Sequence, residues 1–307
     1  MKINQLLPGL IIGLAITVTS QAQNEPGVDS TGLPGDNFSL QGALQMFQKA
    51  ASPEEFEKLL NAEDNHVNNL DLNGDGDIDY IRVIDKMDKD IHAFVLQAIV
   101  SEKESQDIAV IELEKTGDTT AILQIIGDED IYGEQVIVEP DGGGEEEEAE
   151  KENDNENARG PYASFQYEPY RIVVNVWFWP SVRFVYAPVY RPWVSPWRWH
   201  YYPGWWRPWR PLRWHVWHPF RIHYHRPFVV VRTHRVIHAH RVYTPFRTTS
   251  VTVRTRHHHT VNNYRVNRTR TTVTGPRGNS VTRKTTTVRG PKGGVKVKKT
   301  TVRKKRG

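Results

Sequence analysis

Cysteine is missing altogether from the 307 residues. That excludes disulfides, thiolate metal sites, cysteine nucleophiles and a lipidated cysteine anchor. An exported chain of this kind must rely on core packing or a bound ion for stability. Acids nearly vanish after residue 160: residues 161–307 hold one, Glu168, against 30 Lys and Arg. Tryptophan is confined as well, with all 10 between Trp177 and Trp217. Uncharged apolar runs are short. Residues 6–18 form one, interrupted only by Pro8 and glycines, below the roughly 20 residues of a membrane span. No later stretch is as long, so no transmembrane span is expected in the mature chain. Gly-x-Ser-x-Gly, His-Glu-x-x-His, P-loop and Gly-x-Gly-x-x-Gly motifs are also absent. The chain is therefore expected not to be an enzyme. Glu112 and Glu114 alternate along an expected strand and read as its exposed face.

What is present falls into two halves of opposite sign. Residues 1–160 carry 35 acids and 10 Lys or Arg, a net of −25, whereas residues 161–307 carry +29. The overall +4 conceals this division. Such asymmetry marks separate modules with separate partners, or two halves that pair electrostatically within or between molecules. Residues 1–22 read as a signal peptide, with Lys2 first, then the apolar run, then small Ser20 and Ala22 before a cut. The protein is thus expected to be exported, to the periplasm, the outer envelope or the exterior.

Residues 23–37, with Pro26, Gly27, Gly32, Pro34 and Gly35, read as a flexible leader. Ser39 caps a helix with Leu40, Ala43, Leu44 and Phe47 at helical spacing. Ser52-Pro53-Glu54-Glu55 starts a second, with Ser52 as N-cap and Glu55 closing a capping box. Beyond residue 77 the apolar period drops to two. Strands are expected around 78–84, 91–100, 108–113 and 121–126, with 135–138 as a last edge strand. Residues 38–140 therefore read as an α+β module of two short helices and an antiparallel meander. Residues 141–160, Gly-rich and then Glu-rich, read as an acidic linker. Residues 161–245 form a basic region rich in Trp, Arg, Pro and His, largely irregular or β-containing, with strands at 172–178, 182–186 and 229–243. Its prolines argue against regular helix and sheet between 192 and 214. Residues 246–307 read as a basic, low-complexity tail, disordered when free, with Thr-Thr-Val repeats at Thr271, Thr286 and Thr300.

One stretch specifies a chemistry through spacing. In 71–79, Asp71, Asn73, Asp75 and Asp79 place side-chain oxygens at alternate positions around Gly74 and Gly76. That pattern wraps a hard cation. The segment resembles the calcium loops of the EF-hand superfamily and its shorter relatives, such as dockerin modules. The resemblance implies calcium held by Asp71, Asn73 and Asp75 side chains, the Asp77 carbonyl, and Asp79 directly or through water. At the twelfth position, where an EF-hand has glutamate, this chain has Arg82, and strand rather than helix follows. A regular EF-hand pair is excluded. An ion here would brace the corner between helix and first strand. The competing reading is an Asp/Asn/Gly turn that closes without an ion.

The Trp/Arg/Pro segment resembles short cationic membrane-active peptides. Trp favours the headgroup interface and Arg pairs with phosphate. Anionic surface polymer, lipid headgroups and nucleic acid are the partners this implies, against a structural extension whose rings pack on the first module. Histidines are dense. On a strand over 229–243, His234, His238 and His240 would share one face and could chelate Zn2+ or Cu2+. His257, His258 and His259 run consecutively. The reading is a non-enzymatic envelope or surface protein with a calcium-braced module and an adhesive basic tail. The alternative is a metal-handling protein that uses the histidines.

Overall fold

The computed structural model describes residues 30–142 and 172–264 and, as backbone, 266–274, 280–289 and 295–305. The signal peptide, the leader up to 29, the linker from 143 and residues 161–171 lie outside the described residues. The described part of the leader is packed rather than flexible. The buried Asp36 carboxylate accepts from Thr31 Oγ1 at 2.7 Å and the Gly32 amide at 3.0 Å, which closes a tight turn.

Both capped helices form where their signals stand. Helix α1 (Leu40–Lys49) begins with the Gly42 amide donating to Ser39 Oγ at 3.0 Å. Helix α2 (Pro53–Leu60) begins with the Glu55 amide on Ser52 Oγ at 3.2 Å. The return arm of that box lands one residue early, on the Ala51 amide at 2.7 Å. Strands β1 (Ile81–Asp88), β2 (Ile91–Ile99), β3 (Ser105–Gly117), β4 (Thr120–Gly127) and β5 (Val136–Pro140) then form a meander, with the short helix α3 (Glu129–Tyr132) before β5.

The meander does not end there. Strand β6 (Phe228–Val231) comes from the basic half and pairs antiparallel with β5, so β5 is not an edge. The result is a mixed α+β fold on a six-stranded antiparallel sheet in sequence order. The register makes two cross-strand rows on opposite faces. Phe94, Ile111, Ile125, Val138 and Val230 line one; Val95, Val110, Ile126, Ile137 and Val231 line the other. The first face packs on α1 and α2, where Phe47 meets Phe94 at 5.2 Å between ring centroids.

The basic half is a cover rather than a loose extension. Of residues 182–186, expected as strand, 182–185 lie in helix α4 (Pro180–Val185) and Tyr186 is its C-cap; Val182 and Val185 join the core of the first face. Residues 172–178 form no strand. Helix α5 (Trp214–His223) contains an exposed Pro219 and buries Trp217 and Arg221. The region 229–243 divides into β6 and helix α6 (Ile237–Tyr243), which covers the second sheet face through Tyr243. The break between them has a tertiary cause: the Arg235 amide donates to Gln124 Oε1 at 2.7 Å, and Gln124 Nε2 donates to the Thr233 carbonyl at 2.9 Å.

Part of the region read as a basic low-complexity tail lies within the described residues. Helix α7 (Val251–Tyr264) starts with Val253 N–H on Ser250 Oγ at 3.1 Å and buries Val253. Strands β7 (Val266–Thr274), β8 (Ser280–Arg289) and β9 (Val295–Lys305) pair antiparallel, and each carries one Thr-Thr-Val repeat. Runs of β-branched Thr and Val suit strand backbone and each pairs with its sequence neighbour.

Candidate functional site

Three places concentrate polar chemistry. The first is the loop 71–79. Gly74 and Gly76 hold φ values of 72° and 89°, which L-residues rarely adopt, so the glycines allow the tight wrap. Asp71 Oδ1 accepts from the Gly74 amide at 2.6 Å and the Asp75 amide at 3.1 Å, while its Oδ2 accepts from Gly76 at 3.0 Å. Asn73 Oδ1 accepts from the Asp75 amide at 2.9 Å, and Asp75 Oδ1 from the Asp77 amide at 2.9 Å. Asp79 is buried, with Oδ2 on the Leu72 amide at 2.6 Å. Burial pushes the Asp79 carboxyl well above the ordinary range, and Asp71 and Asp75 push the same way. The five residues are thus brought together, but as a turn closed largely by its own amides. A side chain on Gly74 would run into the Arg256 guanidinium of α7, so the protein already holds a cation against this loop.

The second place is the sheet face under α6, where the acids expected to be exposed are buried. Glu112 is fully enclosed and Glu114 is 8% exposed. Their partners come from the basic half. Glu112 Oε2 meets His234 Nε2 at 2.6 Å, and its Oε1 meets His240 Nδ1 at 2.7 Å. Glu114 accepts the Ala239 amide at 2.9 Å. Glu139 pairs with Arg235 at 3.2 Å. Asp107 accepts from Tyr243 Oη at 3.0 Å and the Thr248 amide at 2.8 Å. Asp128 is clamped by Arg247 at 2.6 and 3.0 Å. The hydrogen bond to Glu112 raises the His240 pKa, against an opposing effect of burial. Burial alone would neutralise such carboxylates; Asp107 is pushed up to about 6 despite its three partners.

This corrects the three-histidine set. His234 precedes α6 and His240 lies within it, so no common strand face exists. His234 and His240 converge, with ring centroids 4.8 Å apart and planes at 81°. His238 is exposed and is not part of the group. Glu112 takes its place. Among the described residues, Glu112, His234 and His240 are the one group of His, Asp and Glu whose ligand atoms all lie within 4.8 Å of one another. Alternation could place Glu112 on a face, but only the distant cover decides that the face is buried.

The third place is the lobe over 191–213. Residues 193–195 run beside β1: the Asp85 amide donates to the Trp193 carbonyl at 2.7 Å and the Ser195 amide to Val83 at 3.1 Å. Trp206, 3% exposed, anchors the lobe by stacking edge-on to Tyr80 at 5.0 Å. Trp197, Trp199 and Trp209 pack around that anchor and are partly buried. The Ile78 amide donates to the Trp209 carbonyl at 2.9 Å, which ties the lobe to the end of the acidic loop. The arginines face out: Arg191, Arg198, Arg207, Arg210 and Arg213 are all exposed. Arg198 lies over the Tyr201 ring at 4.4 Å.

No family model, no curated protein and no solved structure matches this chain. Among the described residues, no helix is long and apolar enough to cross a membrane.

Proposed function

We propose that the protein is a non-enzymatic exported envelope or surface protein that adheres to anionic polymer through the 191–213 lobe. The observation that carries this reading is the division of labour in the lobe. Tryptophans anchor it to the sheet, and five arginines are left facing solvent. Guanidinium groups pair bidentately with phosphate or carboxylate, and half-exposed indoles add stacking surface. Because most of the rings are used for packing, deep insertion into lipid is disfavoured. Trp205, at 47%, is the most accessible indole. Polymer phosphates, lipid headgroups and nucleic acid share the chemistry, and the test separates them.

The full chain should bind an anionic polysaccharide, and binding should weaken as salt rises. Replacing Arg198, Arg207 and Arg210 together by Glu should abolish it while the far-UV spectrum stays unchanged. Binding that survives both salt and the triple change would sink the proposal. Anionic vesicles and single-stranded DNA run in parallel identify a different anionic partner.

Calcium at 71–79 belongs to the same reading as a structural brace. The spacing of the side-chain oxygens supports it; the amide-closed turn offers the ion-free alternative. If calcium is the brace, the melting temperature should rise with millimolar calcium and fall back with chelator. An unchanged melting temperature would leave Arg256 and the amides as the loop's partners.

A further inference from the structure

Glu112 sits in the middle of β3, opposite Ala93 on β2 and Gln124 on β4. The two histidines are held over the carboxylate by their chain neighbours. Arg235, next to His234, gives its amide to Gln124. Ala239, next to His240, gives its amide to Glu114. Both imidazoles are thus set by backbone bonds to the same sheet face, which is how ligands are kept in place without the ion.

We propose that Glu112, His234 and His240 bind one divalent first-row transition ion, of the zinc or copper class. Two imidazoles and one carboxylate form a donor set of borderline softness, suited to such ions and poorly suited to calcium or to copper(I). All three ligand atoms lie within 4.8 Å of one another. The Glu112 side chain is fully buried, whereas those of His234 and His240 are 23% and 29% exposed, so an ion has a way in past the rings. Positive neighbours do not block it. Arg235 is turned to Glu139 at 3.2 Å, while Arg232 and Arg241 are exposed. Buried Glu114 adds negative charge nearby.

On binding, the ion replaces the hydrogen bonds between Glu112 and the two rings; a proton on a ligating nitrogen moves to the other nitrogen of a neutral ring, or leaves to solvent from an imidazolium. Three protein ligands leave a fourth position for water or an outside donor. The ion would tie β3 of the acidic half to α6 and to the segment just before it in the basic half.

The test uses the full chain, stripped with chelator and titrated with Zn2+ and Cu2+. One ion per chain should bind at this site. Glu112→Gln, chosen for its matching shape, and His240→Ala should each weaken binding by roughly 100-fold or more, beyond the loss typical of an outer-shell change. His238→Ala should leave it unchanged. Should His240→Ala fail to fold, the unaltered chain still decides. The Cu2+ spectrum should report two imidazole nitrogens and oxygen. Three or more imidazoles, or uptake that disappears when His257, His258 and His259 become Ala, would overturn the proposal.

Discussion

The two faces of the sheet are buried by different means. On one, Phe94, Ile111 and Ile125 meet the apolar sides of α1 and α2. On the other, Glu112, Gln124, Glu139 and Asp107 share the surface with Val95 and Val110, and the basic half supplies their partners. Apolar burial is tolerant: any well-sized side chain displaces water. A buried carboxylate is not. Each needs a donor at hydrogen-bond distance or it loses its charge. The first face therefore sets how strongly the chain collapses. The second sets where the basic half must sit, because a shift of one residue would take both imidazoles from Glu112, Tyr243 and Thr248 from Asp107, and Arg247 from Asp128.

The harshest way to break that contrast is to remove the second cover. A chain ending at residue 160 would expose the acids of the second face and lose β6. It should fail to show a cooperative melt by circular dichroism. A sharp transition in that fragment would mean the apolar face suffices alone. Next in size is the apolar face itself. Phe94→Ala, at a fully buried ring, should cost about 3–5 kcal/mol in denaturant unfolding.

A smaller effect is expected across the polar face. Arg247→Met strands the buried Asp128 but leaves most of the arginine's volume in place. The guanidinium is 29% exposed, so the loss should be nearer about 2 kcal/mol than the full cost of breaking a buried pair. Asp128→Asn made in the same background should restore part of it, and no restoration would argue against a paired-burial role.

The smallest effect separates partnered from orphan groups by pH. His225 Nε2 is buried with no hydrogen-bond partner among the described residues, and burial, then Arg221 and His218, push its pKa down to about 4. With the folded value below the unfolded one, its contribution is present above about 6.5 and is lost as pH falls toward 4. Asp107, raised to about 6, works the other way: its contribution is full below about 3.8 and is lost as pH rises through 6. His225→Asn should flatten the loss of stability between pH 6.5 and 4 by on the order of 1–2 kcal/mol. An identical acid limb in the variant would remove His225 from the account.

Local signals carried much of the first module into view. Ser39 and Ser52 cap the helices they announce, and alternation locates the first five strands to within a few residues. The basic half was harder to read for a physical reason. Alternation continues past Val231 into the histidines, yet the strand stops there because Gln124 captures the Thr233 carbonyl and the Arg235 amide. That capture depends on a residue more than 100 positions away. The same distance hid Glu112. Period two placed it opposite the apolar core, and only a cover from the other half turns that face from wet to dry. The charge asymmetry was the available clue, since −25 and +29 in one chain allow each to bury the other. For the acidic loop, spacing located every residue, but Arg256 against Gly74 comes from α7, beyond the reach of local pattern.

Strand β6 also has a consequence in time. Its pairing of Ile137 with Val231 cannot form until the ribosome has made the second half. Until then, whatever part of the sheet a growing chain has formed keeps both edges, β1 and β5, open and one face of carboxylates unmatched. Closing so long an intervening segment is slow relative to hairpin zipping. An all-apolar second face would invite pairing with other nascent chains, whereas a charged one repels them until its own arginines and histidines arrive.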